Sequence, residues 1–505
     1  MVFIEDVAYL LFWLLVAVVA VNVLFLWFVL ERRIKLQRYF LIKDAARAGW
    51  RPRVRAFAER RLEVEDMLPL RREIGAAPAR EAPHELLFAA STPDNISRIS
   101  ELFFALHSVD DWAARAFGRR RGKALVAAAI RRDEPTEPLP RVRLVNWLRR
   151  SRVVAVPRAI AVNRLGQLAP EFAQVFLIEA LADPSSDVRQ VALTTMGSAR
   201  FPPFIGPLMH EMARSIEQEN DVSWRTLKIA LTSFRLPDVS RFVPFLSHTH
   251  PRMRFTVVDI IRQIAGEAAR DGLLNKNDFS PELYAAFLDR VVVDPFADVR
   301  ARSAAVVAHF RDARAIRALR TLLNDDNDFV RLHAVRAAGD RFYSDLLPDL
   351  TRRLRDSNWR VRDATVQAML PFGSTGLDAL FRAFLESDDE ETARQITDGL
   401  QRVGAMPTLL GALTTDGYQS SLASAVCQKM AAMGNTVYLN RALATVDNPS
   451  ARLSLMDALM VSPDENYLAV LQTLARRDAG VVGSRASEIL RKSGVIPSNE
   501  GDANA

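Results

Sequence analysis

The feature that most constrains the fold of this chain is a short pattern that returns at a fixed interval. An acidic or amide residue, an apolar residue and an arginine recur, and Arg300, Arg331 and Arg362 follow one another at 31-residue spacing. A fixed period of about 20–50 residues is typical of stacked supersecondary units that bury their apolar faces against one another. The period therefore predicts a repeat protein with an extended surface, an architecture suited to binding.

Each residue type in the pattern has a physical role. Asp or Asn just before a helix accepts hydrogen bonds from its first free amides, so the acidic residues are interpreted as helix caps. An arginine in the first turn can reach an acidic residue of the next repeat, which predicts a ladder along the stack. Exposed pairs contribute only about 0–1 kcal/mol each, so the ladder would align repeats more than stabilise them. We interpret the following residues of the pattern as structural: Asp187, Asp298, Asp328, Arg189, Arg300, Arg331 and Arg362.

The pattern resembles the HEAT repeat, most closely at residues 183–200 and 294–373. Its short period is similar to the bacterial HEAT-like type that also occurs in phycobilin lyases, and the resemblance covers about residues 150–495. It implies an all-α fold, an α-solenoid of HEAT-like helix pairs, and a scaffold or adaptor that binds proteins along a curved surface. Phycobilin lyases attach tetrapyrroles and some HEAT-like proteins excise alkylated bases, but no motif here carries over a site residue from either.

An uncharged N-terminal segment predicts a membrane anchor. Residues 7–30 contain no charged side chain, with Trp13 and Trp27 towards the two ends. About 20 apolar residues cross a bilayer as a helix, and interfacial tryptophans are common at its boundaries. A cleaved signal peptide fits less well, because such peptides have a basic start and a shorter apolar stretch. Here Glu5 and Asp6 precede the span.

The charges around this span predict its orientation. No Lys or Arg precedes it, whereas basic residues follow it directly. Positive residues beside a span stay in the cytoplasm, so we expect a single-pass protein of the bacterial inner membrane, with the N-terminus outside and the solenoid in the cytoplasm. The membrane-proximal basic residues are Arg32, Arg33, Lys35 and Arg38.

The rest of the chain divides by composition. We expect a basic juxtamembrane helical segment at 31–68 that is broken near Gly49 and Pro52, a Pro/Ala-rich linker at 69–95, and N-terminal capping helices at 96–150. The HEAT-like solenoid follows at 151–495, and a disordered tail at 496–505. Most glycines are interpreted as ends of helices, namely Gly166, Gly197, Gly266, Gly339, Gly373 and Gly404.

The positive charge is concentrated near the membrane. Residues 1–165 have a net charge of +11, and residues 166–505 a net charge of −4. A run of basic residues stands out at Arg119, Arg120, Arg121 and Lys123. It is interpreted as a solvated surface facing an anionic membrane, or alternatively as a docking site for an acidic partner or nucleic acid.

The residues that usually carry catalysis are sparse. Cys427 is the single cysteine and lies in an apolar helical pattern, which favours a buried structural thiol. His248 and His250 form the one close histidine pair, without nearby ligands to complete a metal shell. No phosphate-binding loop or hydrolase motif stands out. We therefore expect no enzyme, metal, cofactor or small-molecule substrate.

The sequence as a whole predicts a membrane-anchored scaffold that binds a protein partner through its solenoid. A membrane enzyme such as a glycosyltransferase is an example of such a partner, although no motif names one. Trp224 and Trp359 stand near repeat starts where smaller residues suffice, and are interpreted as packing residues or as binding hot spots. The alternatives are a nucleic-acid-binding HEAT-like protein, which would need a basic groove, and a phycobilin-lyase-like enzyme, which would bind a tetrapyrrole.

Overall fold

The chain folds as an all-α helical-repeat protein. A computed structural model describes residues 2–70, 93–132, 152–218, 224–272, 274, 279–341, 343–402, 404, 406–415, 417–478 and 480–495. Every regular element within these ranges is helical, as the repeat pattern predicts. The chain divides into two compact units, residues 1–242 and 243–505.

The first unit begins with one long helix, α1 (Val2–Ala58). The part Trp13–Ile42 is long and apolar enough to cross a membrane, and none of its apolar window is buried among the described residues. Near its end Trp50, Val54 and Phe57 are buried, and the guanidinium of Arg98 lies 5.0 Å from the centre of the Phe57 ring. The same helix thus carries both the apolar span and part of the core of this unit.

The predicted break near Gly49 and Pro52 is wrong, since α1 runs through both residues. A proline inside a helix removes one backbone hydrogen bond and crowds the preceding turn. Burial of a large apolar side chain contributes about 1.5–3 kcal/mol, and Val54 and Phe57 lie on the turns after the proline. Their packing offsets the local cost, so the helix ends only at Ala58.

The remaining helices of the first unit form two layers. Helices α4, α6, α8 and α10 pack side by side as an inner layer, and α5 packs against α7 in an outer layer. The 3₁₀ segment Leu236–Ser247 follows α10. The helices after α1 are α2 (Val64–Met67), α3 (Pro93–Ala105), α4 (Ser108–Phe117), α5 (Arg119–Arg131), α6 (Arg152–Leu165), α7 (Pro170–Leu181), α8 (Ser186–Ala199), α9 (Ile205–Gln218) and α10 (Trp224–Thr232).

The second unit repeats the same arrangement. The inner helices α11, α13, α15, α17 and α19 pack successively against one another, and α21 packs against α23 and α23 against α25. The helices are α11 (Pro251–Arg270), α12 (Pro281–Ala286), α13 (Ala297–Val307), α14 (Ala313–Leu323), α15 (Asp328–Asp340), α16 (Leu347–Arg353), α17 (Trp359–Met369), α18 (Gly373–Glu386), α19 (Glu390–Arg402), α20 (Met406–Ala412), α21 (Tyr418–Ala432), α22 (Thr436–Thr445), α23 (Pro449–Leu459), α24 (Glu465–Arg477) and α25 (Val481–Lys492).

The sequence boundaries of the first unit are refined by the structure. One helix, α1, covers most of the segments predicted separately at 7–30 and 31–68. The predicted capping region contains α3, α4 and α5, where Gly118, at φ +90°, turns the chain between α4 and α5. Residues 71–92 of the linker, residues 133–150 of the capping region, residue 151 of the solenoid and the tail at 496–505 lie outside the described residues.

Three glycines that the sequence assigned to helix ends, Gly197, Gly266 and Gly339, lie inside helices, so that interpretation is wrong for them. A Cβ at Gly197 would lie 2.8 Å from Cα of Ala230, and one at Gly339 would lie 2.6 Å from Cα of Ala368. These glycines let neighbouring inner helices approach closely, which no larger residue permits at these distances. Gly266 also lies inside a helix, with open space around it.

Candidate protein-binding surface

The inner helices of the second unit are joined by a ladder of arginine–aspartate pairs. Arg300 donates from Nε to Oδ2 of Asp325 at 2.7 Å and from Nη2 to Oδ1 at 2.8 Å. Arg331 forms the same two-point contact with Asp356, at 2.7 and 2.8 Å. The ladder also contains Arg254–Asp294, and the first unit has an equivalent pair, Arg158–Asp183.

Each ladder residue also binds its own loop. Oδ1 of Asp356 accepts the backbone N–H of Asn358 at 3.0 Å, while the backbone carbonyl of Asp356 accepts from Arg362 Nη1 at 2.8 Å. The equivalent hydrogen bonds connect Asp325 to Asn327 and Arg331. A single aspartate therefore receives an arginine from the preceding repeat and an arginine from its own, which fixes the register between repeats.

The prediction that these pairs are exposed is wrong. The side chains of Arg331 and Asp356 are 10% and 1% exposed, and those of Arg300 and Asp325 are 18% and 11% exposed. Burial raises the pKa of Asp356, but hydrogen bonds from Arg331 and from a backbone N–H outweigh it and hold the pKa below its ordinary value. These arginines are satisfied inside the fold and offer little to a partner.

The acidic residues of the repeat pattern are placed differently from the expectation. Asp187, Asp298 and Asp328 lie within the first helical turn, so their interpretation as caps is wrong. The caps that bind the helix are Asn327 and Asn358, whose side chains accept backbone N–H groups at 3.0 and 2.8 Å. Carboxylates in the first turn still interact favourably with the helix dipole.

The ladder loses its acidic partner beyond α17. Arg362 donates to Oε1 of Gln395 at 2.7 Å, and the position 31 residues after Asp356 is Ser387. Nearby, the ammonium group of Lys429 donates to three backbone carbonyls at the end of α18, those of Phe384, Leu385 and Ser387. Here a lysine of α21, in place of an arginine–aspartate pair, binds the carbonyl groups at the C-terminus of α18.

Trp359 lies at the surface of the protein. Its side chain is 57% exposed at the start of α17, and the Arg360 guanidinium lies 5.6 Å from its ring centre. Phe329, at the start of α15, is 39% exposed. The side chains of Asn358 and Asp328 are hydrogen-bonded, which joins the starts of these two helices. The interpretation of Trp359 as a packing residue is therefore wrong, and its position suits a contact with a partner.

Trp224, the other tryptophan considered from the sequence, differs from Trp359. It is half-buried at the start of α10, and the Lys228 ammonium lies 5.5 Å from its ring centre. Its indole Nε1–H has no hydrogen-bond partner among the residues that the structure describes. Tryptophan N–H groups usually find a partner when they are buried. The two tryptophans belong to different units.

The inner face of the second unit carries arginines outside the ladder. Arg262 on α11, Arg302 on α13 and Arg336 on α15 all act electrostatically on His333. Burial and these three positive charges lower the pKa of His333 to about 4. The sequence analysis missed this group, because its signal is a spacing on alternate helices rather than a linear motif.

The basic run at the start of α5 is divided between two environments. Arg121 donates to Oε2 of Glu179 on α7 at 2.8 Å, and the Glu179 side chain is 4% exposed. Arg119, Arg120 and Lys123 are exposed. One arginine of the run therefore joins two outer helices, and the other three basic groups face solvent.

The membrane-proximal basic residues lie on the exposed middle of α1. Lys35 forms an ion pair with Glu31 one turn earlier, at 2.5 Å. Surface pairs of this type contribute little to stability. The whole group, consisting of Arg32, Arg33, Lys35 and Arg38, is exposed to solvent.

The residues considered for metal binding or nucleophilic chemistry have structural partners. Nδ1 of His248 accepts the backbone N–H of His250, and Nδ1 of His250 accepts that of Arg252 at the start of α11. Cys427 is buried, and burial raises the pKa of its thiol to about 12. Within the described ranges, no three His, Cys, Asp or Glu side chains are grouped so as to hold a metal ion.

Comparison with known proteins identifies the repeats. The family model of HEAT repeats matches residues 284–370, the region of the ladder. No curated protein matches the sequence. Among solved structures, an engineered protein is 16% identical, with 69% of this chain and 97% of that chain covered and a TM-score of 0.27.

Two natural proteins are also similar in structure. Human deoxyhypusine hydroxylase is 14% identical, with 55% of this chain and 95% of that chain covered and a TM-score of 0.21. Kap121p, in its complex with Nup53p, is 11% identical, with 83% of this chain and 49% of that chain covered and a TM-score of 0.37. The HEAT-repeat match thus covers residues 284–370, and the described residues on either side of them also form packed helices.

Proposed function

We propose that this protein is a membrane-anchored adaptor that binds a protein partner through its helical repeats and performs no catalysis of its own. The observation that carries the proposal is α1, which contains an apolar stretch outside the fold and a terminal segment buried in the first unit. A helix of this length and composition matches the thickness of a bilayer. The same helix would hold the repeats at a membrane.

The continuity of α1 supports a defined geometry at the membrane. If the span ends near Leu30, the helix continues for 20 residues before Trp50 enters the core. At about 1.5 Å per residue this distance is roughly 30 Å. The basic residues Arg32, Arg33, Lys35 and Arg38 would then lie where anionic headgroups attract them, which supports a cytoplasmic position for the repeats.

The exposed aromatic side chains support protein binding. Trp359 and Phe329 lie at the starts of consecutive inner helices, where the ladder already fixes the backbone. Tryptophan is enriched among residues that dominate interface energies. A rigid backbone carrying exposed aromatic groups loses little conformational entropy on binding.

The experiment is a mild-detergent purification of the tagged full-length protein from native membranes, followed by mass spectrometry. We expect a protein partner in stoichiometric amount, and we expect Trp359→Ala to reduce its recovery while the circular dichroism spectrum and melting temperature stay unchanged. Recovery of the full-length protein without a partner would contradict the adaptor proposal.

Two matched variants make the result specific. Val437→Ala truncates another exposed apolar side chain of the second unit, 71% exposed on α22, and should leave partner recovery unchanged. Deletion of residues 1–42 removes the apolar stretch but keeps the buried Trp50–Ala58 segment. This variant should fold and appear in the soluble fraction.

A further inference from the structure

The inner face of the second unit contains a repeated arrangement of aromatic and basic side chains. On α11, Phe255, Asp259 and Arg262 follow at i, i+4 and i+7, and on α15 the same spacing holds Phe329, His333 and Arg336. Residues at these spacings share one face of a helix. Helix α13 packs between α11 and α15. The two sets thus flank one helix.

Arg302 of α13 contacts two side chains of the α11 set, Phe255 and Asp259. Its guanidinium carbon lies 5.6 Å from the centre of the Phe255 ring, and its Nε lies 3.8 Å from Oδ1 of Asp259. Arg262 binds the same oxygen at 2.9 Å. Among the described residues, the Nε–H of Arg302 has no hydrogen-bond partner. One buried carboxylate is therefore shared by two arginines, and part of the hydrogen-bonding capacity of Arg302 is unused.

The α15 side of the face adds the positive charge of Arg336. The rings of Phe329 and His333 meet edge to face with 4.6 Å between their centres. His333 is neutral at neutral pH, because burial and the nearby arginines lower its pKa. Arg336 is exposed and forms no ion pair within the described part of the chain. The surroundings of His333 thus contain three guanidinium groups, of which those of Arg262 and Arg302 share the carboxylate of Asp259.

We propose that this face, formed by Phe255, Arg262, Arg302, Phe329, His333 and Arg336, docks an acidic segment of the partner protein. The inference rests on the adaptor function proposed above and specifies the chemistry of its partner. Guanidinium groups that are not neutralised inside the protein bind carboxylates with two parallel hydrogen bonds. The phenylalanine rings at its two sides can contact apolar side chains interspersed in such a segment.

The dimensions of the face and the charge of the chain favour a short peptide segment over nucleic acid. Packed helices lie about 8–10 Å apart, so the face spans roughly 16–20 Å across three helices. An extended chain covers this distance with about five or six residues at about 3.3–3.6 Å each. Residues 166–505 have a net charge of −4, so the positive face is local, and a long polyanion would meet repulsion beyond it.

The test measures binding of a fluorescein-labelled peptide of alternating glutamate and tyrosine to the full-length protein in detergent, by fluorescence anisotropy. Loss of two desolvated charge contacts weakens such complexes by about tenfold or more, so we expect that loss for the double variant Arg302→Glu, Arg336→Glu. Arg317→Glu makes one such charge reversal on the exposed side of the outer helix α14 and should leave the affinity within about twofold.

Two further measurements keep the test decisive. Arg336→Glu alone changes an exposed side chain without an ion pair, so it should fold normally and still weaken binding if the double variant is unstable. A peptide with lysine in place of glutamate should not bind. Equal binding by the wild type and the Arg336→Glu variant, or no binding of the glutamate peptide, would overturn the assignment of this face.

The outcomes also separate this inference from the adaptor proposal. If the partner is recovered from membranes with wild-type protein and equally with the double variant, the adaptor function stands and this docking face is wrong. If a single-stranded oligonucleotide binds more tightly than the glutamate peptide and loses affinity in the double variant, the face binds nucleic acid and the acidic-segment assignment fails.

Discussion

Gly339 shows how a single residue sets the distance between repeats. A Cβ at this position would lie 2.6 Å from both Cα and Cβ of Ala368 on the next inner helix. Overpacking of this kind costs about 1–3 kcal/mol because backbone must move. We therefore expect Gly339→Ala to lower the free energy of unfolding by that amount, measured by urea denaturation of the protein lacking residues 1–42.

Gly266 provides the matched control for this prediction. It also lies inside an inner helix, but a Cβ there would meet no heavy atom within 4 Å. Alanine is favoured over glycine in helix interiors by about 1 kcal/mol, so Gly266→Ala should stabilise the protein. Equal effects of the two substitutions would show that close helix approach is not the cause.

His333 reports the positive charge of the proposed docking face. Its pKa is lowered to about 4 by burial first and then by Arg302, Arg336 and Arg262. Removing a positive neighbour makes protonation less costly, so Arg302→Gln should raise the pKa of His333, while Arg317→Gln should not. The measurement is the pH titration of the His333 ring proton by NMR. An unchanged titration in Arg302→Gln would show that the arginine does not act on this face.

The sequence predicts buried residues of the repeat more reliably than exposed ones. The valines Val188, Val299 and Val330 lie in the first turns of their helices and are buried, as the pattern predicts. Trp359 and Phe329 lie one or two positions away from such valines and are exposed. Neighbouring residues of a helix differ in direction by about 100°, so a shift of one position moves a side chain from core to surface. Hydrophobicity alone does not give that direction.

At the scale of the helix pair, the ladder is a stability element whose effect depends on burial. Removing one partner of a buried ion pair leaves an unpaired charge and costs about 3–5 kcal/mol. We expect a loss of this size for Asp356→Ala, since Asp356 is 1% exposed. The surface pair Arg394–Glu390 is more than half exposed on both sides, so Arg394→Ala should cost about 0.5 kcal/mol or less. Urea denaturation of both variants measures the difference.

The arginine–aspartate ladder should also make the stability of the protein sensitive to acid. The pKa values of Asp325 and Asp356 are raised by burial but are held below the ordinary value of 3.8 by the larger combined effect of arginine and backbone hydrogen bonds. A carboxylate whose pKa is lowered by folding contributes stability above its unfolded pKa and loses it as the pH falls through the folded pKa. The wild type should therefore lose stability below about pH 4. Asp356→Asn should show a shallower loss over that range.

The sequence assigned the helix caps to Asp187, Asp298 and Asp328, which lie in the first turn of their helices instead, and it did not predict the length of α1. The asparagine caps at Asn327 and Asn358 follow from local hydrogen bonding. The continuation of α1 through Pro52 depends on Trp50 and Phe57 entering a core built from distant residues. The regular period of the repeats reveals the fold, but it carries no information on a helix that packs onto the first unit from outside the pattern.

On the scale of the whole molecule, α1 determines what the repeats can reach. The helix has an unburied apolar window within Trp13–Ile42, and near its end Trp50, Val54 and Phe57 are buried in the core. A continuous helix between these parts transmits orientation, whereas a flexible linker would allow the first unit to tumble. A partner bound to the repeats would therefore be held at a limited range of heights above the membrane.

The last prediction concerns the placement of this helix in the membrane. Positive residues follow the apolar span and none precedes it, so the N-terminus should lie outside and the repeats inside. With a tag at each end, protease added to intact spheroplasts should remove the N-terminal tag and leave the C-terminal tag protected. The full-length protein should stay in the membrane pellet after alkaline carbonate, because a spanning helix is held by its apolar area. Release by carbonate, or a mature chain lacking the apolar segment, would instead identify the segment as a peripheral helix or a cleaved signal sequence.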